Sequence, residues 1–341
     1  MTSPTIPEPP AADDAQPEPI RVGSLAAKTA GVACVAVFIL WWASRGISSA
    51  DLRAQLQDVR LGVVIATMAV FTLAYFTVEV LSVGTSWRKN LDPNVTWRDI
   101  RALICGKQVL FAVQPLLTKL VAPLYFWRHG RVAPWRAVSA TEFVGICELT
   151  VVMSLVSAGV AFSGLEVGVG LWVLVGAWWA LVALAAVWMS SPRLQQRFPK
   201  LAGSGLLYAF THATRPHLAY QLVTRTALQL ITLGCIWVLL AELGAKLTAT
   251  QLLAFGPLFL YSSLLPISVG GFGGPQGLAV AVLAGRWHVL PPDRALAFSL
   301  VWSSGALILQ ATVGLVYLPR MVGLLRSSKP AAASDPRQLS G

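Results

Sequence analysis

The chain has 341 residues, a mean hydropathy of +0.65, 55% hydrophobic residues and only 12% charged ones. A soluble domain so poor in charge would expose far too much apolar surface, which excludes a water-soluble enzyme fold. The formal net charge of +11 lies mostly in short linkers between apolar runs. There it orients membrane segments and calls for no nucleic-acid partner.

Residues 1–22 open the chain as a Pro-rich, acidic tail (Pro4, Pro7, Pro9, Pro10, Asp13, Asp14, Glu18) that cannot bury enough surface to order itself. The first apolar run lacks the basic start of a secretory signal and reads as a retained anchor. Six segments read as full spans: 25–44, 61–83, 138–162, 168–190, 217–241 and 295–318. Each approaches the ~20 apolar residues that a hydrocarbon core requires. Residues 321–341 form a second tail, basic and then rich in Ser, Pro and Ala.

Two further segments are interrupted. The stretch 102–127 contains Lys107 and Lys119 and is broken at Gln114-Pro115 and again at Pro123. The stretch 251–287 is broken by the run from Pro266 to Pro275, which carries Gly270, Gly271, Gly273 and Gly274. Proline removes a backbone donor and glycine favours turns. The arms on either side are too short to cross, so each segment is expected to be a re-entrant hairpin with its tip at the break. With both termini cytoplasmic and 102–127 re-entrant, about 17 Lys and Arg fall inside against about 6 outside. Treating 102–127 as a plain span reduces the asymmetry to about 14 against 9.

The expected fold is therefore an all-α polytopic membrane protein of about six full spans plus two re-entrant hairpins. Its membrane domain covers 23–320, as an inverted repeat of 25–162 and 168–318 with the sites where the broken elements meet. The localisation that fits is a bacterial inner (cytoplasmic) membrane, multi-pass.

Intramembrane polar groups mark candidate sites, because a charge at a helix centre costs about 2.5–3.5 kcal/mol by insertion scales. His217, Gln221, Arg225 and Gln229 recur every four residues and form one polar stripe. Arg225 suits a phosphate by its planar fork, or pairs structurally with Glu142 or Glu148. Lys107 and Lys119, one on each arm of the first hairpin, either attract an anionic headgroup or snorkel to the surface. Glu148 lies deeper than Glu142 and needs either a partner or a proton, while Glu79 reads as interfacial. Ser299, Ser303 and Gln310 share a face of the last span, where hydroxyls commonly join helices. Cys34, Cys105, Cys147 and Cys235 each stand alone and read as small buried hydrophobes. Trp41, Trp42, Trp87, Trp127, Trp287 and Trp302 fall near span ends, as interfacial belts require. No metal or cofactor motif is present, and the Gly-rich run lacks the Lys-Ser or Lys-Thr ending of a nucleotide loop.

The run Pro266-Ile-Ser268-Val-Gly270-Gly271-Phe272-Gly273-Gly274-Pro275-Gln276 resembles the P-x-S-x-G-G-x-G-x-R-E signature of the lysylphosphatidylglycerol synthase transmembrane family, the flippase-like domain proteins. Pro275 and Gln276 stand where that family has an Arg-Glu pair, and the resemblance does not extend to the aminoacyl-transferase domain of its fused members. The resemblance implies lipid translocation rather than lipid aminoacylation. The expected function is a lipid transporter moving an anionic or polyprenyl-type lipid, with Arg225, Lys107, Lys119, Gln221 and Gln229 at the headgroup and Glu148 or Glu142 in proton coupling or ion pairs. The partner is then a membrane lipid, with lipid-synthesis enzymes alongside. Two rival classes remain: a membrane-embedded glycosyl- or acyl-transferase using Asp51 or Asp58, and a scaffold for a lipid-synthesis complex.

Overall fold

A computed structural model describes residues 60–113, 115–129, 132–162, 169–197, 205–263 and 272–326. In chain order the helices are α1 (Leu61–Asn90), α2 (Trp97–Gly106), α3 (Gln108–Val113), α4 (Val121–Arg128), α5 (Pro134–Phe162), α6 (Val169–Ser190), α7 (Pro192–Arg197), α8 (Tyr208–Thr211), α9 (Arg215–Glu242), α10 (Ala249–Ser262), α11 (Gly274–Ala279) and α12 (Pro292–Arg326). Short 3-10 turns occupy Pro115–Leu120 and Gly205–Leu207, and a π-helical stretch occupies Val280–Arg286. Among the described residues, α1, α5, α6, α9 and α12 are long and apolar enough to cross a membrane. The chain is a helical membrane protein. These helices fall on five of the six expected spans, and the sixth, 25–44, lies outside the described residues.

Two helices outrun their apolar runs, because hydropathy sees only the lipid-facing centre of a helix. Helix α1 continues to Asn90 with Ser82, Ser86, Trp87 and Asn90 buried. There Ser86 Oγ donates to the Ala140 carbonyl at 2.9 Å and Trp87 Nε1 to Thr141 Oγ1 at 3.3 Å. Helix α12 runs to Arg326, and buried Met321 joins the hydrophobic cluster at that end. Residues 321–326 are therefore helix, where the sequence suggested tail.

Helix α1 lies antiparallel to α9, zipped along its whole length. Arg60 Nε meets Glu242 Oε2 at 2.8 Å, Glu79 meets Arg225, Ser82 meets Gln221, and Lys89 Nζ donates to Thr214 Oγ1 at 2.5 Å. Helix α12 runs parallel to α1, with Arg294 Nη1 donating to the Leu243 carbonyl at one end and Arg320 pairing with Asp99 at the other. The end carrying Arg88, Lys89, Arg128, Arg136, Arg215, Arg320 and Arg326 is the basic end of the bundle. The far end carries Arg60, Glu242 and Arg294.

The two interrupted segments enter from opposite ends. Residues 97–128 start beside Arg320 through Asp99 at 3.0 Å and finish beside the Leu325 carbonyl, which accepts from Arg128 Nη1 at 2.8 Å. Both contacts lie at the basic end. Thr248, whose side chain and Gln251 make a reciprocal capping box, opens α10 just after α9 closes at the far end. Helix α12 begins at that same end, so the two described arms of the second segment, 249–263 and 272–286, both adjoin it at their outer ends. The first segment breaks at Lys107, one residue after α2, and α3 ends at Val113, with a 3-10 turn from Pro115.

Close approach fixes the second segment in place. A Cβ on Gly159 of α5 would lie 2.7 Å from the Leu253 carbonyl carbon, so the backbones of α5 and α10 touch. Helix α6 behaves differently. Of its described residues Val175 alone is buried, as expected of a helix facing lipid on nearly every side.

Candidate functional site

Depth along the helices brings the site together. Glu79 is eleven residues from the basic end of α1, and Arg225 is ten from the corresponding end of α9, about 15 Å of helix in each case. Glu148 sits slightly deeper on α5, about 21 Å from Pro134. These helices pack against one another, so the three charges meet inside the bundle. Arg225 Nη1 lies 2.7 Å from Glu79 Oε2 and 3.2 Å from Glu148 Oε2, with only 1% of its side chain exposed. Lys107, at the break between α2 and α3, places Nζ 3.4 Å from Glu79 Oε1. Gln229 Nε2 donates to Glu148 Oε1 at 3.4 Å, and Gln108 Nε2 donates to the Tyr75 hydroxyl at 3.2 Å.

The four charges sum to zero, which is how they remain buried: each carboxylate has a cation and each cation a carboxylate. The carboxylates differ. Glu79 has two cations and is 12% exposed, whereas Glu148 has one cation at the longer distance and is 26% exposed.

Beside the cluster is a cavity of roughly 200 Å3. It has room for about six waters or one small polar group. Phe71, Phe111, Phe259, Leu260 and Trp302 supply apolar wall, while Glu79, Glu148, Gln229 and Tyr75 supply polar wall. Both interrupted segments reach it, the first through Phe111 and the second through Tyr261, Ser263 and Pro275. Arg225 sits behind its two carboxylates and does not line the cavity. The Gln229 side chain is buried, yet its Oε1 has no hydrogen-bond partner.

The chain matches no family model and no curated protein sequence.

The polar stripe on α9 does face the interior, but it divides. Gln221 turns to α1, donating to the Ser82 carbonyl at 2.9 Å and contacting His217, away from the cavity. Arg225 and Gln229 join the charge cluster. Lys107 joins it too, whereas Lys119 pairs with Glu142 at 2.9 Å on a more exposed surface and does not line the cavity. Gln276 is fully buried. It accepts from the Gly273 amide at 2.6 Å and donates to Ser303 Oγ at 3.1 Å, anchoring α11 to α12. Gly273 adopts φ +105°, a conformation that favours glycine. Ser299 and Ser303 are buried against that same arm. Pro115 lies in the 3-10 turn after α3. Gln114, Pro266, Gly270 and Gly271, like Cys34, Trp41, Trp42, Asp51 and Asp58, lie outside the described residues. Cys105, Cys147 and Cys235 are free and buried.

Three sequence expectations are corrected. Glu79 is not interfacial: its depth on α1 and its two cations make it the centre of the cluster. Trp87, 1% exposed, packs edge-on against Phe126 in the core of the basic end. Trp302, 5% exposed, packs tilted against Phe71 and edge-on to Phe259 in the cavity wall. Both lie near the ends of apolar runs, but on faces turned inward. A usable signal for Glu79 was present: Tyr75, Glu79, Ser82 and Ser86 fall at intervals of four, three and four, a polar stripe to match the one on α9.

Proposed function

We propose that this protein is a lipid transporter of the flippase-like type, moving an anionic or polyprenyl-type lipid between the leaflets of an inner membrane. The observation that carries the reading is an apolar, aromatic cavity beside a buried four-charge cluster whose two carboxylates line it, walled by parts of both interrupted segments. Intramembrane ionisable groups beside a cavity mark substrate or ion pathways. A volume near 200 Å3 admits a headgroup while the acyl chains remain in lipid.

The broken segments are read as re-entrant hairpins. Segment 97–128 begins and ends at the basic end through Asp99 and Arg128, and segment 249–286 begins and ends at the far end beside Leu243 and Arg294. Hairpins from opposite ends that reach one central cavity fit an inverted repeat with its site at the midplane. The crowding of Lys and Arg at one end fits a cytoplasmic basic end. The likeness of residues 266–276 to the flippase-like signature points to lipid as the cargo. Gln276 supplies a neutral anchor to α12 where that family has a charged pair.

The test is mass spectrometry of lipids co-purifying with the native chain and with Ala306→Phe, which fills the cavity from α12. One anionic or polyprenyl species enriched over bulk membrane in the native chain, and lost in the variant, is the expected result. Bulk lipid composition in both would overturn the reading.

A further inference from the structure

We propose that Glu148 is a proton-binding carboxylate, and that only its protonated form gives the cluster beside the cavity the net positive charge an anionic headgroup needs. The anion half rests on the transport reading above; the proton half does not.

With all four members charged, the cluster is neutral, and the groups it turns to the cavity are the carboxylates Glu79 and Glu148. That wall repels an anion. A proton delivered by hydronium in cavity water forms an O–H bond on Glu148 and leaves water behind. The cluster then holds Arg225, Lys107 and Glu79, for a net charge of +1. Arg225 keeps Glu79 at 2.7 Å, so its neutralisation does not depend on Glu148. Glu79 cannot exchange roles with Glu148, because losing its charge would leave Lys107, 3.4 Å away, without its carboxylate.

The surroundings of Glu148 serve both protonation states. As a carboxylate it accepts from Gln229 Nε2 at 3.4 Å. As a neutral acid it becomes a donor and needs an acceptor. Gln229 lines the cavity, and its Oε1 is buried and without a partner. Turning the Gln229 amide by half a revolution presents that oxygen where its nitrogen now sits. The titratable and charged groups facing Glu148 are Tyr75 and Glu79 from α1, Lys107 from the α2–α3 junction, Arg225 from α9 and Tyr261 from α10. Helix α12 contributes Ser303 and Gln310, which do not ionise.

Two measurements on the full chain in phosphatidylcholine nanodiscs test this. Infrared difference spectra between high and low pH read the carbonyl stretch of a protonated, buried carboxyl. The band should appear on acidification, vanish in Glu148→Gln, persist in Glu79→Gln and shift in Glu148→Asp. Intrinsic tryptophan fluorescence checks that each variant is folded, and the Asp variant decides the matter where Gln disturbs folding. Retention of a fluorescent phosphatidylglycerol at the protein is then followed against pH. In the native chain it should weaken about tenfold per pH unit above the midpoint of the band, the slope of one proton taken up per anion. In Glu148→Gln it should be strong and independent of pH. No titrating band, or one unchanged in both Glu148 variants, overturns the proton site. A titrating Glu148 band with no phosphatidylglycerol retained at any pH keeps the proton site and overturns the anionic-lipid reading.

Discussion

Removing Arg225 tests whether the buried charges are held by mutual neutralisation. Arg225→Met keeps much of the side-chain volume but leaves Glu79 and Glu148 with Lys107 alone, a net charge of −1 inside the bundle. At 2.7 and 3.2 Å, and with an effective dielectric constant near 20, the two ion pairs are each worth about 5–6 kcal/mol in gross Coulomb terms. Desolvation offsets most of that gain. The loss expected when one partner of a buried pair is removed is about 3–5 kcal/mol.

The cluster's composition makes a sharper test available. Arg225→Met combined with Glu148→Gln leaves Glu79 and Lys107, a neutral pair at 3.4 Å. Most of the lost stability should return. Arg225→Met combined with Glu79→Gln leaves Lys107 and Glu148 without their close partners and should recover less. Thermal melting in detergent, followed by the fluorescence of the thirteen tryptophans, gives the comparison. The single variant should melt on the order of 10 °C lower, taking a few degrees per kcal/mol for a chain of this size. A single variant as stable as the native chain would refute neutralisation as the reason these charges stay buried. So would a double variant with Glu148→Gln that melts below the single one.

Two further changes probe the frame around the site. Gly159→Ala should destabilise the bundle by about 1–3 kcal/mol, although alanine is the better helix former by about 1 kcal/mol, because its Cβ would press on the Leu253 backbone of α10; an alanine variant that melts at or above the native temperature would show that α5 and α10 do not touch. Lys119→Ala removes an exposed pair with Glu142 and should cost no more than about 1 kcal/mol, an effect that added salt should erase. A large, salt-independent loss in the same melting assay would place Lys119 in the core network instead.

How much of this was legible in the sequence depends on which side of a helix a residue occupies. The described spans are contiguous apolar stretches, and hydropathy finds them because lipid demands apolar surface along a whole crossing. It fails at their ends. Ser86 and Trp87 extend α1 by burying polar groups against α5, an event invisible to a scale that scores residues singly. Helix α3 ends at Val113, next to the expected break, which was readable from backbone chemistry, whereas the break at Lys107 has no proline or adjacent glycine pair to announce it. For the site, the stripe containing Arg225 showed that its face was interior. Which partner it met was set by the register of α1 against α9, and that register is tertiary. Glu79 was the consequence: a carboxylate near the end of an apolar run looked solvated, yet the helix continued beyond it and carried it to the centre.

The same register changes what the Arg225 stripe means. Read alone, an arginine in a span either grips a phosphate, since its fork matches the oxygens, or pairs structurally with a carboxylate such as Glu142 or Glu148. In the bundle, two carboxylates stand between that fork and the cavity. On the proposed reading, the positive charge needed for an anion is therefore not a fixed property of the site. It depends on the weaker of the two carboxylate contacts, the one at 3.2 Å with the more exposed side chain. A buried cluster of two acids and two bases is silent toward an anion until one acid is neutralised. Glu148 is the member whose neutralisation leaves every remaining charge with a partner.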